Sequence, residues 1–171
     1  LDKKELDGII IAGPFTDVRF TTQKLYTEEI KAYIPNESRT SVVVNDLKEL
    51  HRWLLSSGNC LRNQMIQLCQ IKDEVNTNQW NYEGGNLPLI IEMVDRHGGY
   101  TLIPSNFPLT ETQKHGIKSI RDLATLPARE IIALSSNRTS KMQGIEALAR
   151  SIQFAYGRTT KIKQLQVLDW K

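Results

Sequence analysis

Both cysteines of the chain lie in one short stretch, Ser57 to Cys69, nine positions apart. Gly58 breaks the preceding run, and Asn59 is a good helix N-cap. After it Leu61, Met65, Leu68 and Cys69 recur at helical spacing, with Arg62, Asn63 and Gln67 between them. The pattern predicts a helix that begins at Cys60 and runs to about Ile71. A thiol in the first turn of a helix lies beside unpaired backbone N–H groups, at the positive end of the macrodipole; both favour the thiolate, and Arg62 adds a nearby positive charge. Nine residues of helix rise about 13 Å and turn through about half a revolution, so the two sulfurs fall on opposite faces. A disulfide needs Cα atoms within roughly 7 Å. Bonding the two sulfurs therefore requires the helix to unwind, and a bridge here is a switch that remodels the fold. The spacing alone is met more often by two unrelated cysteines, with Cys69 an ordinary core residue.

The run Gly58-Asn59-Cys60-Leu61-Arg62-Asn63-Gln64, followed by Cys69, resembles the redox motif of the OxyR branch of the LysR-type transcriptional regulators. That pattern is Gly-His-Cys-Leu-Arg-Asp-Gln with a second Cys nine residues after the first. The resemblance implies that Cys60 is the peroxidatic cysteine and that Cys69 resolves it. Two positions depart from the pattern: Asn59 stands where the family has His, and Asn63 where it has Asp. Asn59 can hydrogen-bond to peroxide or water but carries no proton that titrates near neutral pH. The route by which a proton reaches the leaving hydroxide is thus left open.

Supporting groups follow from position. The resemblance puts Arg129, at the head of a strand, near the peroxidatic thiolate; an ion pair with Glu130 or another acid is the alternative. Arg62 is two residues from Cys60, so it also suits a solvated surface. Asn59 and Asn63 could hold peroxide or serve only as capping groups. Thr101, Ser135 and Ser136 are candidates for lining a cleft.

The chain opens on Leu1 rather than Met, which reads as a fragment. Leu6 to Gly13 is an unbroken apolar run bounded by turn residues, which predicts a buried, parallel strand. Its leading pair, Leu6-Asp7, resembles a second LysR-type pattern, in which a Leu-Asp pair precedes a strand. The resemblance implies that a first strand–helix unit and a helix-turn-helix domain precede it. Phe20 to Ile34 reads as two extended stretches, one a long strand near Glu28 to Ile34. Ser41 to Val44 suits a short strand, and Asn45-Asp46 caps a helix over Leu47 to Leu55. Asp73 to Tyr82 reads as a strand. Asn86 caps, and Pro88 opens, an amphipathic helix that Gly98-Gly99 ends. Tyr100 to Pro104 is a short strand; this helix–Gly–strand–Pro succession again resembles the LysR type. Pro108 to Ile117 reads as loop with a short helix. Arg129 to Ser135 is a strand. A last helix, Lys141 to Tyr156, carries Met142, Ile145, Leu148, Ala149 and Ile152 on its core face and ends at Gly157. The tail reads as a short helix or a loose end.

Strands alternate with helices almost throughout, which predicts an α/β fold. Glu28 to Ile34 and Arg129 to Ser135 suit crossovers between two lobes, the type II periplasmic-binding-protein-like architecture that the resemblance implies. One lobe is expected to comprise residues 1–25 and 127–171. The other, residues 26–126, carries the switch.

Composition narrows the function further. The net charge of +3 is spread along the chain apart from a tail cluster of Arg158, Lys161, Lys163 and Lys171, too little for a DNA-binding face. No apolar run reaches the ~20 residues of a membrane helix, and no signal-peptide pattern opens the chain. His51, His97 and His115 stand apart, so no metal site is expected, and no glycine loop implies a cofactor.

The expectation is thus a cytoplasmic regulatory domain, not an enzyme, whose partner is hydrogen peroxide. The resemblance implies a homodimer (a tetramer in the full-length protein), DNA contact through the preceding domain, RNA polymerase, and a thiol reductant such as glutaredoxin or thioredoxin. The rival expectation is a LysR-type effector domain that binds a small organic ligand in a cleft, with Thr101, Ser135 and Arg129 as contacts and the cysteines incidental. A thiol peroxidase with turnover is a third class, disfavoured because no Cys-x-x-Cys is present.

Overall fold

The structure, a computed structural model, describes residues 1, 5–69, 85–121, 125–157 and 165–168. Two long antiparallel strands form its spine: β2 (Phe20–Tyr33) and β6 (Leu126–Ser136) pair from Phe20↔Ser136 to Glu29↔Ala128. The sequence pattern divides the β2 region into two stretches; the structure makes it one strand. The ladder shifts register between Lys24 and Tyr26, and Leu25 at the shift turns into the core. This bulge interrupts the alternation that signals a continuous strand.

β1 (Gly8–Ala12) extends the sheet on the other side of β6. It is antiparallel, not parallel, and Ile10 is 51% exposed rather than buried. Among the described strands β1 has one neighbour, so part of its apolar surface faces outward. An unbroken apolar run reports hydrophobicity, not strand direction.

Past Glu29, β2 leaves β6 and joins a second sheet. There it pairs with β4 (Thr101–Pro104) and then β5 (Ile117–Ile120), which carries β3 (Ser41–Val42) in parallel. Three apolar clusters follow this division. One joins Ala12, Leu25, Ile131, Ala133 and Ala149 on the first sheet. Two lie on the second sheet, around Ile30, Met65, Tyr100 and Leu102, and around Tyr33, Trp53, Ile90 and Ile103.

The helices follow their local signals unevenly. α1 (Val44–Lys48) is one short turn, with the Asp46 carboxylate accepting from the Val43 N–H at 3.2 Å. The helix expected over Leu47 to Leu55 does not form. The chain instead runs alongside Tyr100: Tyr100 N donates to His51 O at 2.8 Å, and Trp53 N donates to Tyr100 O at 2.9 Å. Gly99 permits this approach, for a Cβ there would lie 2.2 Å from His51 O. Long-range pairing thus overrides helical periodicity.

α2 is Cys60–Leu68 and begins where the cap signal predicts. α3 (Leu87–His97) is capped by Asn86, whose Oδ1 accepts from Leu89 N at 2.9 Å, and it buries Leu87, Ile90, Ile91 and Val94. A 3-10 turn at Lys114–Gly116 answers the short helix expected there. α4 (Met142–Tyr156) buries Ala149 against the first sheet but leaves Leu148 57% exposed, so its apolar face is only part covered. Within the tail, Leu165–Val167 forms strand β7, parallel to β6, while residues 158–164 and 169–171 of the stretch expected as a short helix or loose end lie outside the described residues. The strand expected at Asp73 to Tyr82 lies outside the described residues.

Candidate redox site on helix α2

The site is built on a capped helix end. Gly58 has φ +87°, a left-handed conformation that favours glycine and turns the chain into the cap. Asn59 is extended (φ −87°, ψ 124°), and its Oδ1 accepts from Leu61 N at 3.0 Å. Its carbonyl accepts from Arg62 N at 3.0 Å and Asn63 N at 3.4 Å. Cys60 is therefore the first helical residue, as the sequence predicts, and it is partly exposed.

Cys60 packs on the cluster of Ala12, Leu25, Ile131, Ala133 and Ala149, which also receives Tyr26 and Ile152. Those partners belong to β1, β2, β6 and α4, so the N-terminal end of α2 rests on the first sheet. Burial, and behind it the charge of Glu28, pushes the Tyr26 phenol up, and its ring stacks on Tyr156 at 5.1 Å.

Cys69 lies at the other end of the same helix. It is 4% exposed, its N–H donates to Met65 O at 3.0 Å, and it packs with Met65, Leu68, Tyr100 and Leu102 of the second sheet's core. The Tyr100 hydroxyl donates to its Sγ at 3.6 Å. Burial, then the neighbouring Cys69 sulfur, pushes the Tyr100 phenol well above its ordinary range, so it remains a donor. No disulfide joins the cysteines. They sit in different clusters at opposite ends of ordered helix, about 13 Å apart by helical rise.

The other candidates have these surroundings. Arg62 is partly buried, and its Nε is buried with no hydrogen-bond partner among the described residues. Asn63 is partly buried one residue further on. Arg129 donates through Nε to Glu28 Oε1 at 2.7 Å, while Glu130 pairs with Lys24. Thr101 is buried, and its hydroxyl donates to Trp53 O at 3.0 Å. Ser135 is buried with its hydroxyl 3.8 Å from Met142 Sδ, and Ser136 Oγ accepts from Arg138 N at 3.3 Å. Ser136 lines a surface cavity of about 660 Å³ with Arg19, Asn137 and Arg138. A second cavity, about 490 Å³, lies between β1 and α4. Neither is lined by α2.

Two residues carry contacts that sequence reasoning missed. Gln64 is fully buried inside the motif, and its Nε2 donates to Leu168 O at 3.3 Å, tying α2 to the residue after β7. Tyr100 reads in sequence only as an apolar strand residue; a buried phenol needing a hydrogen-bond partner was the available signal. Among the described residues no three His, Cys, Asp or Glu side chains gather as a metal site, and no helix is long and apolar enough to cross a membrane.

The family model of the LysR substrate binding domain matches residues 1–154. The chain belongs to this family. Among curated relatives, the HTH-type transcriptional regulator EstR of Acinetobacter baylyi is 25% identical over 147 residues, covering 84% of this chain and 48% of that protein. A probable hydrogen peroxide-inducible genes activator of Mycobacterium avium is 27% identical over 130 residues, covering 74% of this chain and 42% of that one. The chain thus spans about half the length of the curated relatives it matches. Among solved structures, OxyR from Porphyromonas gingivalis superposes with TM-score 0.82 at 23% identity, over 98% of this chain and 79% of that one. The reduced OxyR regulatory domain from Pseudomonas aeruginosa gives 0.72 at 23%, over 90% and 75%. The fold is α/β, two-lobed and type II periplasmic-binding-protein-like, as the sequence predicts.

Proposed function

We propose that this LysR-family chain is the hydrogen-peroxide-sensing regulatory domain of an OxyR-type transcription factor, a regulator rather than an enzyme. The observation that carries the reading is that Cys60 and Cys69 begin and end one helix, with their sulfurs packed on different cores. The peroxide-linked name of the Mycobacterium avium relative and the fold shared with OxyR structures support it.

The Cys60 thiolate attacks one oxygen of hydrogen peroxide, giving Cys60 sulfenic acid and releasing hydroxide, which takes a proton to become water. The Cys69 sulfur then attacks the sulfenic sulfur, forming the disulfide as the hydroxyl leaves with the Cys69 proton as water. Closure requires α2 to unwind. Unwinding frees Gln64 from Leu168, withdraws Met65 and Leu68 from the second core, and lifts the N-terminal turn from the first sheet. One covalent event thereby acts on both sheets, and opening of a short helix costs no more than local unfolding does. Repacking of the domain alters a homodimer, and transcription follows through a DNA-binding domain elsewhere in the protein and RNA polymerase. A thiol reductant such as glutaredoxin or thioredoxin resets the pair. This chemistry belongs in the reducing cytoplasm.

The alternative is a LysR effector domain that binds a small organic ligand without redox chemistry. It is weakened because Arg129, Thr101 and Ser135 are each engaged inside the protein. Peroxide titration with thiol counting separates the readings. The sensor loses both thiols at near-stoichiometric peroxide; Cys60→Ser abolishes the loss, and Cys69→Ser stops at sulfenic acid. Slow, unselective oxidation of both cysteines overturns the sensor reading.

A further inference from the structure

We infer that Tyr100 is the positioning residue of the resolving thiol: its hydroxyl holds the Cys69 sulfur in the second core and sets the balance between the dithiol and disulfide forms. The inference rests on the redox reading above and names a regulator of that same pair.

The contact joins a fixed group to a displaceable one. Tyr100 is 1% exposed and pinned through its backbone on both sides, by His51 O and by Trp53 N. Gly98 and Gly99, at φ +73° and +87°, form the turn that precedes it, and Gly99 has no room for a side chain against His51. Thr101, next in sequence, is tied to Trp53 O. Cys69, by contrast, is the C-cap of a short helix that must unwind for the disulfide to close. When the sulfur leaves, the phenol cannot follow. Its hydroxyl has no other hydrogen-bond partner among the described residues. Burial keeps it protonated, so it is left as an orphan donor in an apolar cluster.

Closing the bridge therefore breaks the O–H···S bond and strands the donor. Both effects oppose the disulfide. The overall exchange is Cys60–SOH + HS–Cys69 → Cys60–S–S–Cys69 + H₂O, and Tyr100 acts only on the position of the second sulfur. Removal of the hydroxyl relieves the opposition, by roughly tenfold in the dithiol–disulfide equilibrium on the usual scale for an orphaned buried hydroxyl.

The test uses the chain as it stands, as wild type, Y100F, C69A and Y100F/C69A. Equilibration in glutathione buffers, with the Cys60–Cys69 disulfide quantified by mass spectrometry, is expected to show roughly tenfold more disulfide relative to dithiol for Y100F. In the reduced state Y100F is expected to lower stability in the wild-type background and to raise it in C69A, where the hydroxyl is already orphaned. Equal redox equilibria, an equal stability loss in both backgrounds, or a Y100F chain that does not fold assigns Tyr100 to packing alone and overturns the inference. A wild-type chain that forms no Cys60–Cys69 disulfide sinks the sensor reading, whereas the reduced-state cycle still reports whether Tyr100 and Cys69 are coupled.

Discussion

Arg129 on β6 donates through Nε to Glu28 on β2 at 2.7 Å, and the Glu28 side chain is only 2% exposed. The two residues are direct register partners in the first sheet, one pair before β2 leaves β6 for the second. Breaking a buried pair from one side strands the other charge. Glu28→Ala is expected to cost roughly 2–4 kcal/mol, discounted because Arg129 retains some solvent access. Arg129→Ala is expected to cost a similar amount, and the double variant less than their sum. Denaturant unfolding of the four proteins checks this.

The N-cap of α2 gives a second prediction. Asn59 Oδ1 satisfies the Leu61 N–H, so Asn59→Ala is expected to destabilise the domain by about 1 kcal/mol. On the redox reading the same variant forms the disulfide faster, because the first turn, which holds Cys60 away from Cys69, frays more often. Calorimetry gives the first quantity and quenched thiol mass analysis the second. Slower closure in Asn59→Ala would count against unwinding as the limiting step.

Local chemistry explains what the sequence made legible. Asn59 and Asn86 are short polar side chains just before apolar periodic runs, and each caps within three residues, so α2 and α3 start where the pattern says. The same rule fails at Leu47 to Leu55, because Trp53 and His51 pair with Tyr100, nearly fifty residues away, through Gly99, and no local pattern encodes that pairing. The site divides likewise. Cys60 at a helix start was readable from Gly58-Asn59. The core that Cys60 rests on was not, since Ala12, Leu25, Ile131 and Ala149 come from four separate elements. Glu28 and Tyr100 stayed hidden because one reads as an alternating strand residue and the other as core filler.

The clasp between α2 and the tail gives a third prediction. Gln64 Nε2 donates to Leu168 O at 3.3 Å, Leu168 packs on the core containing Met65 and Cys69, and Leu168 N donates to Ala128 O at 2.8 Å. Gln64→Ala is expected to leave α2 in place and to speed hydrogen exchange at the Leu168 amide several-fold, as loss of about 1 kcal/mol of local stability does. Peroxide is expected to speed the same amide in the wild type, since unwinding α2 removes both the hydrogen bond and the apolar seat. Hydrogen–deuterium exchange before and after oxidation measures both. An amide unchanged by oxidation would show that closure of the pair does not reach β7.

Acid sensitivity at His51 is the fourth prediction. Burial, with Arg52 second, pushes the His51 imidazole below its ordinary value, and its ring lies edge-on to Trp53 at 4.8 Å. A base whose folded pKa lies below its unfolded pKa binds fewer protons in the native state. Stability therefore rises with pH over the window between the two values and falls as pH drops below about 6.5, the unfolded value. The loss stops growing once pH is below the folded pKa as well, where both states are protonated, and it keeps its full size there. His51→Asn removes the titrating group but keeps the backbone carbonyl that accepts from Tyr100 N, so it is expected to flatten the stability profile between pH 7 and pH 5. Denaturant midpoints at several pH values, in wild type and variant, give the slope. Parallel slopes would assign the acid response to other groups.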